Sequence, residues 1–451
     1  MSDEQGEALF CGKDVARAMG YKTASNALAQ HVDEGDKTTA LIQCTGSIHK
    51  TQTYIYIYSK NMTQAETHAA PAKDRLVWCD AVRLLAFFLL LCCHAADPFY
   101  ATAAYASSGG GVDAELVLWG TRWGSFSRPC VPLFVMLTGV LSLPVRRTMG
   151  AFYGQRIPRV LIPFLIWSVL YYLTPWLTGL LGMESSVVHK LFSWAETDSQ
   201  AFADGMANVM RIPYHFSFIA CHMWYIYMLV GLYLFLPIFS AWVERATRRE
   251  KELYLAVWGI STILPYFTEY VSRYCFGTCE WNSFGLFYYF AGFSGYMLLG
   301  HYIQHYVKWS WRRTLSVALP LLVGGYAITH WGYSHIMALP EKTPEQIELF
   351  WTYCTPNVVM MTIGWFLIGC RIRISENGAV ARWLAQLTLC GFGIYMVHYY
   401  FVCVGYDLGA FLRLPAPLRI PFSAIVILLC SWAVTAIGRK CMGKFARYIW
   451  G

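Results

Sequence analysis

A chain of 451 residues that is 56% hydrophobic, 17% aromatic and only 14% charged does not read as an ordinary soluble globular protein; it reads as an all-α polytopic membrane protein. Its formal net charge of +8 is no nucleic-acid signature, because the basic residues sit in short segments between apolar runs, where they orient a membrane protein. Of the 15 cysteines, Cys92, Cys93, Cys130, Cys390 and Cys430 lie inside apolar runs and behave as small hydrophobes. No Cys/His spacing of the metal-ligand kind occurs, so no bound metal is expected.

Residues 1–60 differ in kind from the rest. They are polar and predict a small α+β segment: two short helices, then a strand over the alternating YIYIY run. No secretory signal is read here. Residues 61–74, with Pro71, read as a linker, and 75–451 as the membrane domain.

Ten spans are predicted, near 76–96, 123–144, 158–180, 222–243, 253–271, 284–304, 314–332, 350–370, 383–405 and 418–438. With the N-terminus inside, the inner segments carry twenty Lys and Arg and the outer ones seven, so the positive-inside rule predicts an N-in, C-in topology in the cell membrane. The connection 181–221 is the longest outer segment; its stretch FSWAETDSQAFADGMANVM fits either an amphipathic surface helix or a solvated loop. Cys275 and Cys279 share a short outer loop, where a disulfide or two free thiols both fit.

The first span holds Asp80, Arg83 and His94 in an otherwise apolar run. Ionisable side chains at membrane depth are costly and face a bundle interior or a wet cavity, where they act. Arg83 and His94 are 11 residues apart; that is about 20° past three full turns and about 16 Å of rise, so both lie on nearly one face at opposite depths. Asp80, one turn from Arg83, is placed to neutralise it. Arg128, His222 and His398 fall in the outer half of their spans, while Arg156 and Arg159 stand at the inner end of the third. The inner arginines suit a large anionic ligand, since guanidinium binds phosphate bidentately; the outer imidazoles suit general-base work. These residues also have structural readings: Arg83 as a snorkelling side chain and His94 as a helix-end histidine bonded to a carbonyl, Arg156 and Arg159 as orientation anchors, His222 as a helix-end cap or interface residue, and His398 as a core histidine bonded across helices.

These residues also carry a resemblance. Arg83 followed after ten residues by His94 resembles the first-helix signature of the membrane acyltransferase 3 family. SRPCVPLFVMLTGVL (127–141, with Thr138 where that family usually has Ser), QRIPRVLIPFLIWSVLYYL (155–173), HMWYIYMLVGLYLFLPI (222–238) and GFGIYMVH (391–398) resemble its further segments, in the same order. The resemblance runs over about 75–447. It implies an integral-membrane O-acyltransferase moving an acyl group, often acetyl, from cytoplasmic acyl-CoA as co-substrate to a hydroxyl of an extracytoplasmic glycan or lipid-linked sugar. It implies His94 as the catalytic residue, Arg83 as a donor-site residue and Arg128 as a further site residue; His222 and His398 match family positions. On physical grounds the CoA phosphates are expected at Arg156, Arg159 and Arg83, with direct transfer and a transient acyl-His94 both open. A transporter or flippase of a glycan or anionic small molecule is the competing reading, favoured by proline-containing spans and buried charge but lacking a visible internal repeat.

The N-terminal stretch ALFCGKDVARAMGYKTASNALAQHVDEGDK resembles the start of the Bro-N domain of phage antirepressors. Residues 1–70 carry six Lys/Arg against eight Asp/Glu, a net charge of about −2, which argues against a DNA footprint. A truncated fusion without DNA-binding activity is expected.

Overall fold

The first apolar run forms helix α1 (Val77–Ala95), buried on nearly every side. In the computed structural model, residues 9–11, 37–43, 49–56, 76–100, 113–182, 198–216, 218–376 and 378–451 are described. The chain divides into two units, Met1–Arg75 and Leu76–Gly451.

In the N-terminal unit, strands β1 (Leu9–Cys11), β2 (Lys37–Gln43) and β3 (His49–Tyr56) form an antiparallel sheet in the order β1–β3–β2. Leu9 pairs with Tyr56 and Lys37 with Ile55, so the Tyr/Ile run is the central strand. The helices expected before it lie outside the described residues.

The second unit is helical: α2 (Ala114–Ser127), α3 (Cys130–Ser142), α4 (Met149–Leu180), α5 (Asp198–Arg211), α6 (Trp224–Arg245), α7 (Arg248–Ser261), α8 (Leu264–Tyr270), α9 (Ser294–Tyr306), α10 (Trp311–Met337), α11 (Pro344–Glu348), α12 (Pro356–Gly369), α13 (Ala379–Val397), α14 (Val402–Phe411), α15 (Ala416–Met442) and α16 (Ala446–Ile449). α2, α3, α12, α13, α14 and α15 all pack on α1. The apolar window of α1 is 67% buried against 22% for α10, which makes α1 the axis of the bundle and α10 a peripheral helix.

Among the described residues, seven helical stretches are long and apolar enough to cross a membrane: 77–100, 114–142, 149–180, 219–245, 311–337, 379–411 and 416–449. The other three expected spans are interrupted, for local reasons. In 253–271 the chain breaks between α7 and α8, because Pro265 has no N–H to give Ser261. In 284–304 the left-handed Gly285 (φ 49°) and Gly292 (φ 91°) delay α9 to Ser294. In 350–370 Pro356 starts α12 after an extended Thr355. The resulting α9 and α12, at 13 and 14 residues, reach about 20 Å, short of a hydrocarbon core of about 30 Å.

Neighbours compensate for that shortness. α9 crosses α3 at a reciprocal contact of small residues: a methyl on Gly139 would overlap the Met297 carbonyl oxygen, and one on Gly300 the Met136 carbonyl oxygen. Gly139→Leu therefore should lower the melting temperature of the detergent-solubilised protein sharply, a cost of about 3 kcal/mol or more by overpacking; an unchanged melting curve would contradict this crossing. α12 is tied in by buried Asn357, which donates to Thr329 Oγ1 and the Phe350 carbonyl (2.8 Å each) and accepts from the Tyr266 hydroxyl (2.7 Å). The amphipathic segment between α4 and α6 includes α5, which packs on α4. Cys275 and Cys279 are free thiols.

Candidate active site

Two departures from α-helical winding build the centre. The chain before α6 runs as a 3₁₀ turn, Phe218–Met223, broken by Ala220 (φ −127°, ψ 55°), which presents Cys221 and His222. α13 passes into the 3₁₀ turn His398–Phe401 before α14. Such tightened stretches inside long helices mark places where a side chain has been re-aimed. Tyr171 on α4 donates to the Met396 carbonyl (2.8 Å), and the Tyr395 hydroxyl donates to the His222 carbonyl, clamping both irregular backbones.

The result is a cluster of three imidazoles from separate helices. Ring centroids lie 5.2 Å apart for His94–His398, 4.9 Å for His222–His398 and 6.3 Å for His94–His222. His94 Nδ1 stands 3.0 Å from Asp97 Oδ2. A carboxylate only accepts, so Nδ1 carries the proton and Nε2 keeps a lone pair. His398 Nδ1 donates to the Tyr395 carbonyl (2.6 Å), and its Nε2 is buried without a hydrogen-bond partner. Both ring nitrogens of buried His222 are likewise unpartnered; its ring stacks on Tyr399 at 5.2 Å. Leaving buried polar atoms unpaired costs about 1–3 kcal/mol each, a cost that a ligand's amides or hydroxyls would offset.

Two cavities meet at this cluster. A wide one of about 940 Å³ is lined by His94, Asp97, Arg128, Trp224, Trp351 and Tyr353 among others. A narrow one of about 260 Å³ runs past Arg83, Phe87, Leu90, His222 and Gly391 to His94. His94, Trp224 and Tyr353 border both. Trp224 and Tyr353 stack at 5.5 Å and form part of the boundary between them.

In the wide chamber Arg128 is buried at the α2–α3 junction. Its Nε donates to the Gly124 carbonyl (3.0 Å), and its guanidinium carbon lies 4.0 Å from the centre of a Trp351 ring. Trp351 is held by a face-to-face stack on Tyr333 at 3.6 Å and by Nε1 donating to Ser125 Oγ (3.1 Å). Among the described residues no carboxylate forms an ion pair with Arg128, so a buried cation faces the chamber that His94 also lines.

At the far end of the narrow cavity, Arg83 Nη1 bonds Asp80 Oδ1 at 2.9 Å, and Thr388 Oγ1 on α13 donates to the same oxygen at 3.0 Å. Arg156 and Arg159 line neither cavity.

The chain thus brings His94, His222 and His398 together, sets Arg83 on the narrow cavity and Arg128 on the wide one, and leaves Arg156 and Arg159 lining neither. Sequence reasoning missed Asp97, although three residues after His94 is the spacing of one helical turn. It also missed Cys221, Trp351, Tyr353 and Tyr399, which reach the site through tertiary packing.

Residues 76–436 match the acyltransferase domain of the acyltransferase 3 family, and residues 1–71 match the BRO family N-terminal domain. No curated protein and no solved structure matches the chain.

Proposed function

The chain belongs to the membrane acyltransferase 3 family, and on that premise we propose that it is an O-acyltransferase carrying an acyl group, acetyl by this reading, from cytoplasmic acyl-CoA to a hydroxyl of an extracytoplasmic glycan or lipid-linked sugar. The observation that carries the proposal is the pair of cavities joined at His94. The topology we propose is ten spans in the cell membrane with both ends inside, the short helices α7–α8, α9 and α12 completing the bundle. The charge of residues 1–70 leads us to assign no DNA partner to the N-terminal unit.

In this reading the diphosphate of acyl-CoA rests near Arg83, Arg156 and Arg159, where guanidinium groups offer forked donors. The pantetheine arm enters the narrow cavity, and its amides find the unpartnered His222 nitrogens. The axial distance from Arg83 to His94, about 16 Å, suits an extended pantetheine, which brings the thioester to His94. Asp97 holds the Nδ1–H of His94, so Nε2 takes the proton of the acceptor hydroxyl as its oxygen attacks the acyl carbonyl. The carbonyl oxygen gains negative charge, which Arg128 stabilises. The C–S bond then breaks, and His94 returns the proton to the departing CoA sulfur. The aromatic walls of the wide chamber, Trp351, Tyr333, Trp224 and Tyr353, offer faces for a sugar ring.

The test is incorporation of label from acetyl-CoA into glycan by membranes holding the wild-type chain. Label above that of empty membranes supports the reading. Failure with acetyl, succinyl and longer acyl donors alike would overturn it in favour of transport.

A further inference from the structure

Three ligand-bearing side chains converge on the wide chamber from two stretches of chain, His94 and Asp97 one helical turn apart and Cys221 before α6. A ring nitrogen of His94, a carboxylate oxygen of Asp97 and Sγ of Cys221 all lie within 4.8 Å of one another. All three line the chamber and are reachable from it. The Tyr399 hydroxyl stands 3.5 Å from both Asp97 Oδ2 and Cys221 Sγ, spanning two of the three. Against this group lie the unpartnered nitrogens of buried His222 and His398, which add electron-rich ring atoms and no positive charge while neutral.

We propose that His94, Asp97 and Cys221 form a binding site for a zinc-type divalent cation, and that its occupancy blocks the transferase by capturing the His94 imidazole. The donor set selects the metal. A thiolate with an imidazole and a carboxylate suits a borderline-soft, tetrahedral ion with one open position, whereas magnesium and calcium require oxygen donors. Bonds of about 2.0–2.3 Å place tetrahedral ligand atoms about 3.3–3.8 Å apart, so the group closes by about 1 Å. The Asp97 side chain, 37% exposed, and the half-buried Cys221 have room for that closure. Binding releases the Cys221 thiol proton, so acid opposes it. Tyr399 then plays the outer-shell part, donating to a bound carboxylate or thiolate. The blocking half of the proposal rests on the acyltransferase reading; the binding half does not.

The test uses the full-length protein in detergent, stripped with EDTA and titrated with Co²⁺. One equivalent giving the near-ultraviolet absorption of a cobalt thiolate, displaced by Zn²⁺ and not by Mg²⁺, is the expected result. Cys221→Asp, which keeps an oxygen ligand, should still bind one equivalent but lose the sulfur absorption, and Tyr399→Phe should bind about tenfold more weakly. Zn²⁺ at one equivalent should stop acyl transfer, with recovery on EDTA. A wild-type protein without the thiolate absorption overturns the site, as does a Cys221→Asp spectrum identical to wild type. A filled site with an unchanged transfer rate overturns the blocking. A cobalt spectrum as expected from a protein with no transfer activity in any state would establish the site and count against the acyltransferase reading itself.

Discussion

His94→Ala should lower acyl transfer by about 10³-fold, with little change in the melting curve of the solubilised protein. Removing a positioned general base forfeits about 10²–10⁴ in rate. His94 also borders both cavities, and no neighbour can take over its position. The nearest ring, His398, has its Nδ1 fixed on the Tyr395 carbonyl. Asp97→Asn makes a sharper test of the dyad. The amide keeps the shape but can donate its NH₂ to Nδ1, which selects the tautomer in which Nε2 carries the proton and cannot accept one. A loss of about 10²-fold in kcat, with KM for acyl-CoA nearly unchanged, is expected. Initial rates in membranes over a range of acyl-CoA concentrations measure both. An Asp97→Asn rate equal to wild type would remove the dyad while leaving His94 in place.

The second large effect is at Asp80 and Arg83. Asp80 is buried, and Arg83 bonds it at 2.9 Å while Thr388 holds it from α13. Arg83→Ala removes the guanidinium that bonds this buried carboxylate, a change worth about 3–5 kcal/mol when a buried pair is broken from one side. The single variant should therefore lose both stability and activity, which says nothing of function by itself. Replacing both, Asp80→Asn with Arg83→Gln, removes the charges together and should restore most of the melting temperature. If Arg83 grips the acyl donor, the double variant stays defective, with KM for acyl-CoA raised about 10- to 100-fold, the worth of one charge-assisted hydrogen bond of about 1.5–3 kcal/mol. A stable double variant with wild-type KM would make the pair purely structural.

Much of this arrangement was legible before any coordinates, because membrane burial makes charge expensive and so makes it conspicuous. Arg83, Asp80 and His94 stood out as exceptions to an apolar run, and helical spacing alone put Arg83 and His94 on one face at opposite depths. What the sequence hid is non-local. Nothing at position 351 announces that its indole lies under Arg128, because that contact forms only when the α11–α12 connection folds over the α2–α3 junction. The convergence of His222 and His398 depends on two 3₁₀ turns, and neither turn carries a proline or glycine at the histidine to betray it. Asp97 was passed over because it follows the apolar run, where an acidic residue looks like ordinary solvated chain. The three spans whose helices are interrupted are apolar enough by composition; Pro265, Gly285, Gly292 and Pro356 are the signals against continuous helix there.

The measurement that tests the central claim most directly is sidedness in sealed membrane vesicles of known orientation, with labelled acetyl-CoA supplied on one face and the acceptor glycan on the other. Label should appear on glycan when the donor is on the cytoplasmic face and the acceptor opposite, and Gly391→Trp, which fills the narrow cavity against Phe87, should abolish it. Equal transfer with donor and acceptor on the same outer face, or full transfer through the plugged Gly391→Trp protein, would contradict an acyl group crossing the bundle to His94.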